Sequence, residues 1–179
     1  MKTFIRTVLV AVLAAASLQA AGNAGLISRK EVLAAIAVLE KDITSAEAAK
    51  AAEVVSQFGK ESETVLLIIG PETLPWIQAD APEPEATVRA MLMAAYFAGD
   101  IKAQLNKREA KDDPYSGWLA AIKAYRQIRK KQSEVVIPEI EDLIKKEASG
   151  RLKTEAEELL RQQEDQDRHE EGRRPDNEV

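Results

Sequence analysis

Ala90-Met-Leu-Met-Ala-Ala-Tyr-Phe-Ala-Gly99 runs ten residues without a charge in a chain of which 31% is charged. It sits inside a longer helical pattern from about Pro84 to Leu105. On a helix, Val88, Met91, Leu92 and Ala95 take one side and Ala94, Phe97, Ile101 and Leu105 another, so the middle is apolar almost all round. A helix of that kind belongs at the centre of a packed domain. Ten helical residues span about 15 Å, against the roughly 20 residues that a bilayer crossing requires, so this is the pattern of a core helix and not of a membrane span. Gly99 interrupts the interior at a cost of roughly 1 kcal/mol relative to alanine. Either another helix packs closely over it, or the helix ends there and Asp100 caps a new segment.

The flanking sequence supplies helices to wrap this centre. Ser28 with Glu31 is a capping box, in which hydroxyl and carboxylate each satisfy an orphan backbone N–H, and Val32, Leu33, Ile36 and Leu39 follow at helical spacing. Thr44 and Glu47 repeat the box ahead of the stripe Ala48, Ala51, Ala52, Val55 and Phe58, with Gly59 as the expected left-handed stop. These two helices read as an antiparallel hairpin. Val65 to Ile69 fits either a short buried strand or a helix; a cap at Ser62, Glu63 in the first turn and the lack of any second strand pattern favour a short helix. Pro71, Pro75, Pro82 and Pro84 then enforce an irregular connection, with at most one turn of helix around Glu72 to Ile77.

Beyond the centre, Asn106 to Asp112 reads as a polar loop. Asp113-Pro114 is an N-cap and N1 pair leading into Tyr115, Trp118, Leu119, Ile122, Tyr125 and Ile128. Pro138 opens a further helix that Gly150 ends, and Thr154 with Glu157 opens the last, whose apolar stripe is only Ala156, Leu159 and Leu160. The expected fold is therefore all-α: an irregular multi-helix bundle, or an array of antiparallel helical hairpins, of about six to seven helices around a central apolar helix near residues 84–105. The spacing of a tetratricopeptide repeat does not recur in register.

The first residues belong to export rather than to the fold. Lys2 and Arg6 precede an apolar run from Val8 to Ala16, and small residues follow at Ala20, Ala21, Gly22 and Ala24. This is a bacterial-type secretory signal over 1–21, with cleavage after Ala20 or Ala21 and Ala24 as a further candidate. Residues 26–163 then form a single helical domain, and 164–179 a charged tail that lacks an aliphatic anchor before Val179 and is expected to be disordered. Loss of Lys2 and Arg6 lowers the basic count from 25 to 23 against 30 acidic residues, a net charge of about −7 that argues against nucleic-acid binding. With no cysteine, stability has to come from packing, and a bacterial lipid anchor has no attachment point. The expected product is soluble in the periplasm or secreted, with no membrane span after cleavage.

The sequence excludes more chemistry than it supports. His169, the single histidine, lies in the expected tail, where no packing holds it against a nucleophile. Thiol nucleophiles and zinc sites of the cysteine or multi-histidine type are ruled out by composition, and no glycine-rich phosphate loop occurs. Neither a metal nor a cofactor is expected. Acids and aromatics coincide only at Glu72 with Trp76, and at Asp112 and Asp113 with Tyr115 and Trp118. Each has a plainer explanation: Asp113 caps, Glu72 lies in a proline turn, Trp118 belongs to the core stripe. The charged runs Lys107 to Asp113 and Arg126 to Lys131 read as solvated surface. By elimination the expected role is non-enzymatic, a protein- or peptide-binding or structural module of the bacterial cell envelope whose partner is another envelope protein or peptide. Trp76, Tyr115, Trp118 and Tyr125 are the candidate binding residues, with the polar-tipped tyrosines best suited to a groove rim. The alternative is an envelope hydrolase acting on glycans through paired carboxylates.

Overall fold

The computed structural model describes residues 26–78 and 81–171. The expected signal over 1–21 and the end of the expected tail, 172–179, lie outside the described residues. The described residues form six helices and no strand: α1 (Arg29–Lys41), α2 (Ala48–Glu61), α3 (Glu85–Lys107), α4 (Pro114–Lys131), α5 (Pro138–Ala148) and α6 (Leu152–Glu171). None is long and apolar enough to cross a membrane.

The helices pack as an all-α array whose centre is the α3 and α4 pair. The α1 and α2 hairpin leans on α3, while α5 and α6 lean on α4. Leu92, Tyr96 and Ile101 of α3 are sealed from solvent, and α4 adds Trp118, Ala121, Ile122, Tyr125 and Ile128 to the same core. Gly99 does not end α3, because α4 passes directly over it. A Cβ there would lie 2.5 Å from the Ser116 carbonyl oxygen and 2.6 Å from Ala120 Cβ. The converse notch is cut in α4, where a Cβ on Gly117 would meet the Tyr96 ring at 2.5 Å. Full burial of one large apolar side chain contributes about 2 kcal/mol, so this contact supplies much of the stability.

Several helix ends form as the sequence predicts. Ser28 and Glu31 make both halves of the capping box, Asp113 accepts from Ser116 N–H at 2.9 Å, and Gly150 ends α5 at φ 73°. Others differ for identifiable reasons. Thr44 does not cap α2: its N–H and hydroxyl both donate to Asp42 Oδ1, so the chain turns there and α2 starts at Ala48 with no side-chain cap. Gly59 lies inside α2, where it makes room for Leu67, whose Cδ1 sits 2.6 Å from the site of a Cβ. Pro84, at the expected start of the central helix, occupies the N-cap position of α3. Glu72 to Ile77 forms turns, not helix, and α6 starts at Leu152, ahead of Thr154. The segment expected to be a disordered tail from 164 begins as a solvent-exposed continuation of α6, which runs to Glu171.

Candidate functional site

The largest departure from expectation is Val65 to Ile69, which is neither helix nor strand. Its backbone is extended, as its hydrogen bonds reveal. Leu66 N–H donates to Gln104 Oε1 at 2.8 Å and Leu66 C=O accepts from Gln104 Nε2 at 2.7 Å. Two residues on, Ile68 N–H donates to Asp112 Oδ1 at 3.0 Å and Ile68 C=O accepts from the Thr73 hydroxyl at 2.9 Å. Only in a β-like backbone do N–H and C=O of alternate residues point to one side. The carboxamide of Gln104 therefore stands in for a residue of a neighbouring strand, and α3 zips the segment to the core without a sheet. Val65 is buried, Leu67 packs against the core, and Leu66 and Ile69 are 48% and 64% exposed.

Behind this zipper lies a buried polar cluster at the α3 to α4 junction. Asp100 Oδ1 accepts from Asp113 N–H at 2.9 Å and from Gln104 Nε2 at 2.7 Å. The Asp112 carboxyl is its hydrogen-bonding neighbour, and neither Asp100 Oδ2 nor Asp112 Oδ2 has another partner among the described residues. Two carboxylate oxygens can meet there only through a shared proton. Burial, then the neighbouring Asp112 charge, pushes Asp100 up to about 8, and burial also raises Asp112. Burial works on Asp113 in the same direction, but hydrogen bonds from Lys107 Nζ and Ser116 N–H outweigh it and hold Asp113 below its usual range. Tyr96, buried beside these acids, has its phenol raised by desolvation first and their charges second.

The stretch Lys107 to Asp113 is thus not uniformly solvated surface, since Asp112 and Asp113 are buried. They line the rim of an open cavity of about 340 Å³ with Tyr115, Lys153 and Glu157. A second cavity of about 350 Å³ lies between α1, α3 and α4, floored by Ala98, Gly99 and Ala120 and edged by Lys102 and Lys123. Among the described residues no group of three or more histidines or acids is placed to hold a metal ion.

Of the four sequence-derived binding candidates, three are interior. Trp76 is fully buried with its ring edge-on to Tyr96 at 6.1 Å. Trp118 donates its indole N–H to Thr73 C=O at 2.8 Å, pinning the proline-rich connection to α4. Tyr125 accepts from Ile137 N–H and donates to Glu141, which fixes the start of α5. Tyr115 alone is partly exposed, at the 340 Å³ cavity. Glu72 is exposed. Sequence inspection passes over Gln104, Thr73 and Arg89, and reads Asp100 only as the cap of a segment that does not form, since α3 runs on to Lys107. Their available signal is polarity at buried helical positions: Asp100 and Gln104 stand four apart among apolar residues of α3. Arg89, 4% exposed, ties Trp76 C=O, Glu85 and Glu139 together.

The site and fold define an all-α helical array carrying one side-chain-zipped extended segment. No protein family, curated protein or solved structure matches the chain.

Proposed function

We propose that this chain is an exported, non-enzymatic module of the bacterial cell envelope that binds another protein or peptide. One observation carries the proposal: Leu66 and Ile69, two of the four exposed large apolar residues of the described chain, sit on a segment bound to the core through its other edge. Exposed apolar side chains on a fixed backbone keep their arrangement when a partner arrives, so little ordering opposes association. A photo-crosslinker at position 69 should capture an envelope protein or peptide, while the same group at exposed Lys50 on α2 should not. Equal capture from both positions, or from neither, would remove the proposal.

A second reading keeps its own support. Asp112 faces Asp100, both hold protons more tightly than ordinary aspartates, and Asp112 shares a cavity rim with Asp113 and Tyr115. Carboxyl pairs with separated proton affinities serve glycan hydrolysis. Against it, Asp100 is sealed and does not line that cavity, and Asp112 Oδ1 already holds Ile68 N–H. Release of sugar from peptidoglycan fragments that vanishes in a folded D112N variant would favour the hydrolase.

A further inference from the structure

The zipper uses one edge of Val65 to Ile69 and leaves the other unused. Leu66 and Ile68 direct their backbone groups at Gln104, Asp112 and Thr73. The N–H and C=O of Val65, Leu67 and Ile69 have no hydrogen-bond partner among the described residues. By the alternation of an extended backbone these groups share the opposite edge, of which Val65 is buried and the stretch from Leu67 to Ile69 is the accessible part. Such a row is the template to which a further strand adds. Exposed Leu66 and Ile69 lie beside it as apolar contacts for the incoming chain.

Charge selects the occupant. From Glu61 to Thr73 the chain carries Glu61, Glu63 and Glu72 and no basic residue, and all three acids are exposed. A second copy of the segment, paired antiparallel about Leu67, would bring Glu63 of one copy beside Glu72 of the other at each end of the ribbon and set Pro71, which has no N–H, where a donor is needed. A peptide with apolar residues in its middle and lysine or arginine at its ends meets the opposite situation. We infer that the open edge of Val65 to Ile69 is a docking site for an extended peptide with an apolar centre and basic flanks, which adds to it as a β-strand. The inference rests on the binding role proposed above and names the partner's chemistry.

The probe is the synthetic peptide Lys-Val-Thr-Val-Thr-Val-Lys, titrated into the full chain with hydrogen exchange followed amide by amide. Strand addition slows exchange at the Leu67 and Ile69 amides by about tenfold or more and leaves Leu66 and Ile68, already bonded, unchanged. Methylating the peptide's backbone nitrogens on the pairing edge abolishes that protection without touching the protein's folding. Exchanging the two lysines for glutamates weakens binding by about threefold to tenfold at low salt. Binding without the alternate pattern, binding indifferent to backbone methylation, or protection of Leu67 in peptide-free protein as it dimerises would each overturn the inference. If position 69 still captures an envelope partner while the peptide gives no alternate protection, strand addition fails and the binding role stands; failure of both removes both.

Discussion

Residues 99 and 100 are neighbours on α3, yet they face two kinds of contact. Through Gly99 the helix meets α4 at backbone distance, with Ser116 and Ala120 in the notch and no polar side chain between them. Through Asp100 and Gln104 it meets Val65 to Ile69 and the start of α4 with carboxyl and carboxamide groups, all buried. The first contact gains from excluding every atom that is not needed, and the second depends on every polar atom having a partner. Packing errors and hydrogen-bond errors therefore have different consequences on the two sides of one helix.

Breaking the apolar side should cost most. Leu92→Asp places a charge where no solvent reaches, and we expect loss of the folded state outright, read by far-ultraviolet circular dichroism. Gly99→Ala should follow at about 2 kcal/mol or more, because the nearest obstacle is backbone and cannot rotate away. Urea unfolding measures it; an unchanged midpoint would mean that the helices are further apart than described. On the polar side, Gln104→Leu preserves apolar bulk but strands Leu66 N–H and C=O, and should cost about 1 to 3 kcal/mol. Its signature is faster exchange at Leu66 with α3 and α4 amides still protected, a local loss that Gly99→Ala should not produce.

The most specific expected effect is a dependence on pH. Folded Asp100 keeps its proton up to about 8, whereas its ordinary value is 3.8. As pH rises the unfolded chain releases that proton first, so the stability that this group contributes is fully present below about pH 4 and is lost as pH rises toward 8. Asp100→Asn replaces the shared proton with a permanent amide donor toward Asp112. The variant should match the parent near pH 4 and exceed it in melting temperature at pH 8. Parallel curves at both pH values would show that the pair holds no shared proton.

The elements that sequence predicts well are those whose cause is local. The Ser28 to Glu31 box, the Asp113-Pro114 start and the apolar stripes of α3 and α4 are each written within a few turns of chain, and each forms. Val65 to Ile69 is misread as helix because its partners lie 38 and 44 residues away and are side chains, which leave no strand pattern to find. Asp112 is misread as loop surface for the same reason, since its partners are Ile68 and Asp100. Trp118 is legible as a core residue from the α4 stripe, whereas Trp76, read only as part of the proline-rich connection, is fully buried without a periodic pattern to announce it. Arg89 shows how a charge reads as surface until three partners from three elements close around it.

The two glycine notches fix more than distance. Gly99 receives α4, Gly117 receives the Tyr96 ring, and the notches open in opposite directions. Sliding either helix by one turn, about 5.4 Å, would drive a side chain into backbone at both places at once. The α3 and α4 pair is thus keyed in register, and any change of register between them has to empty both notches together.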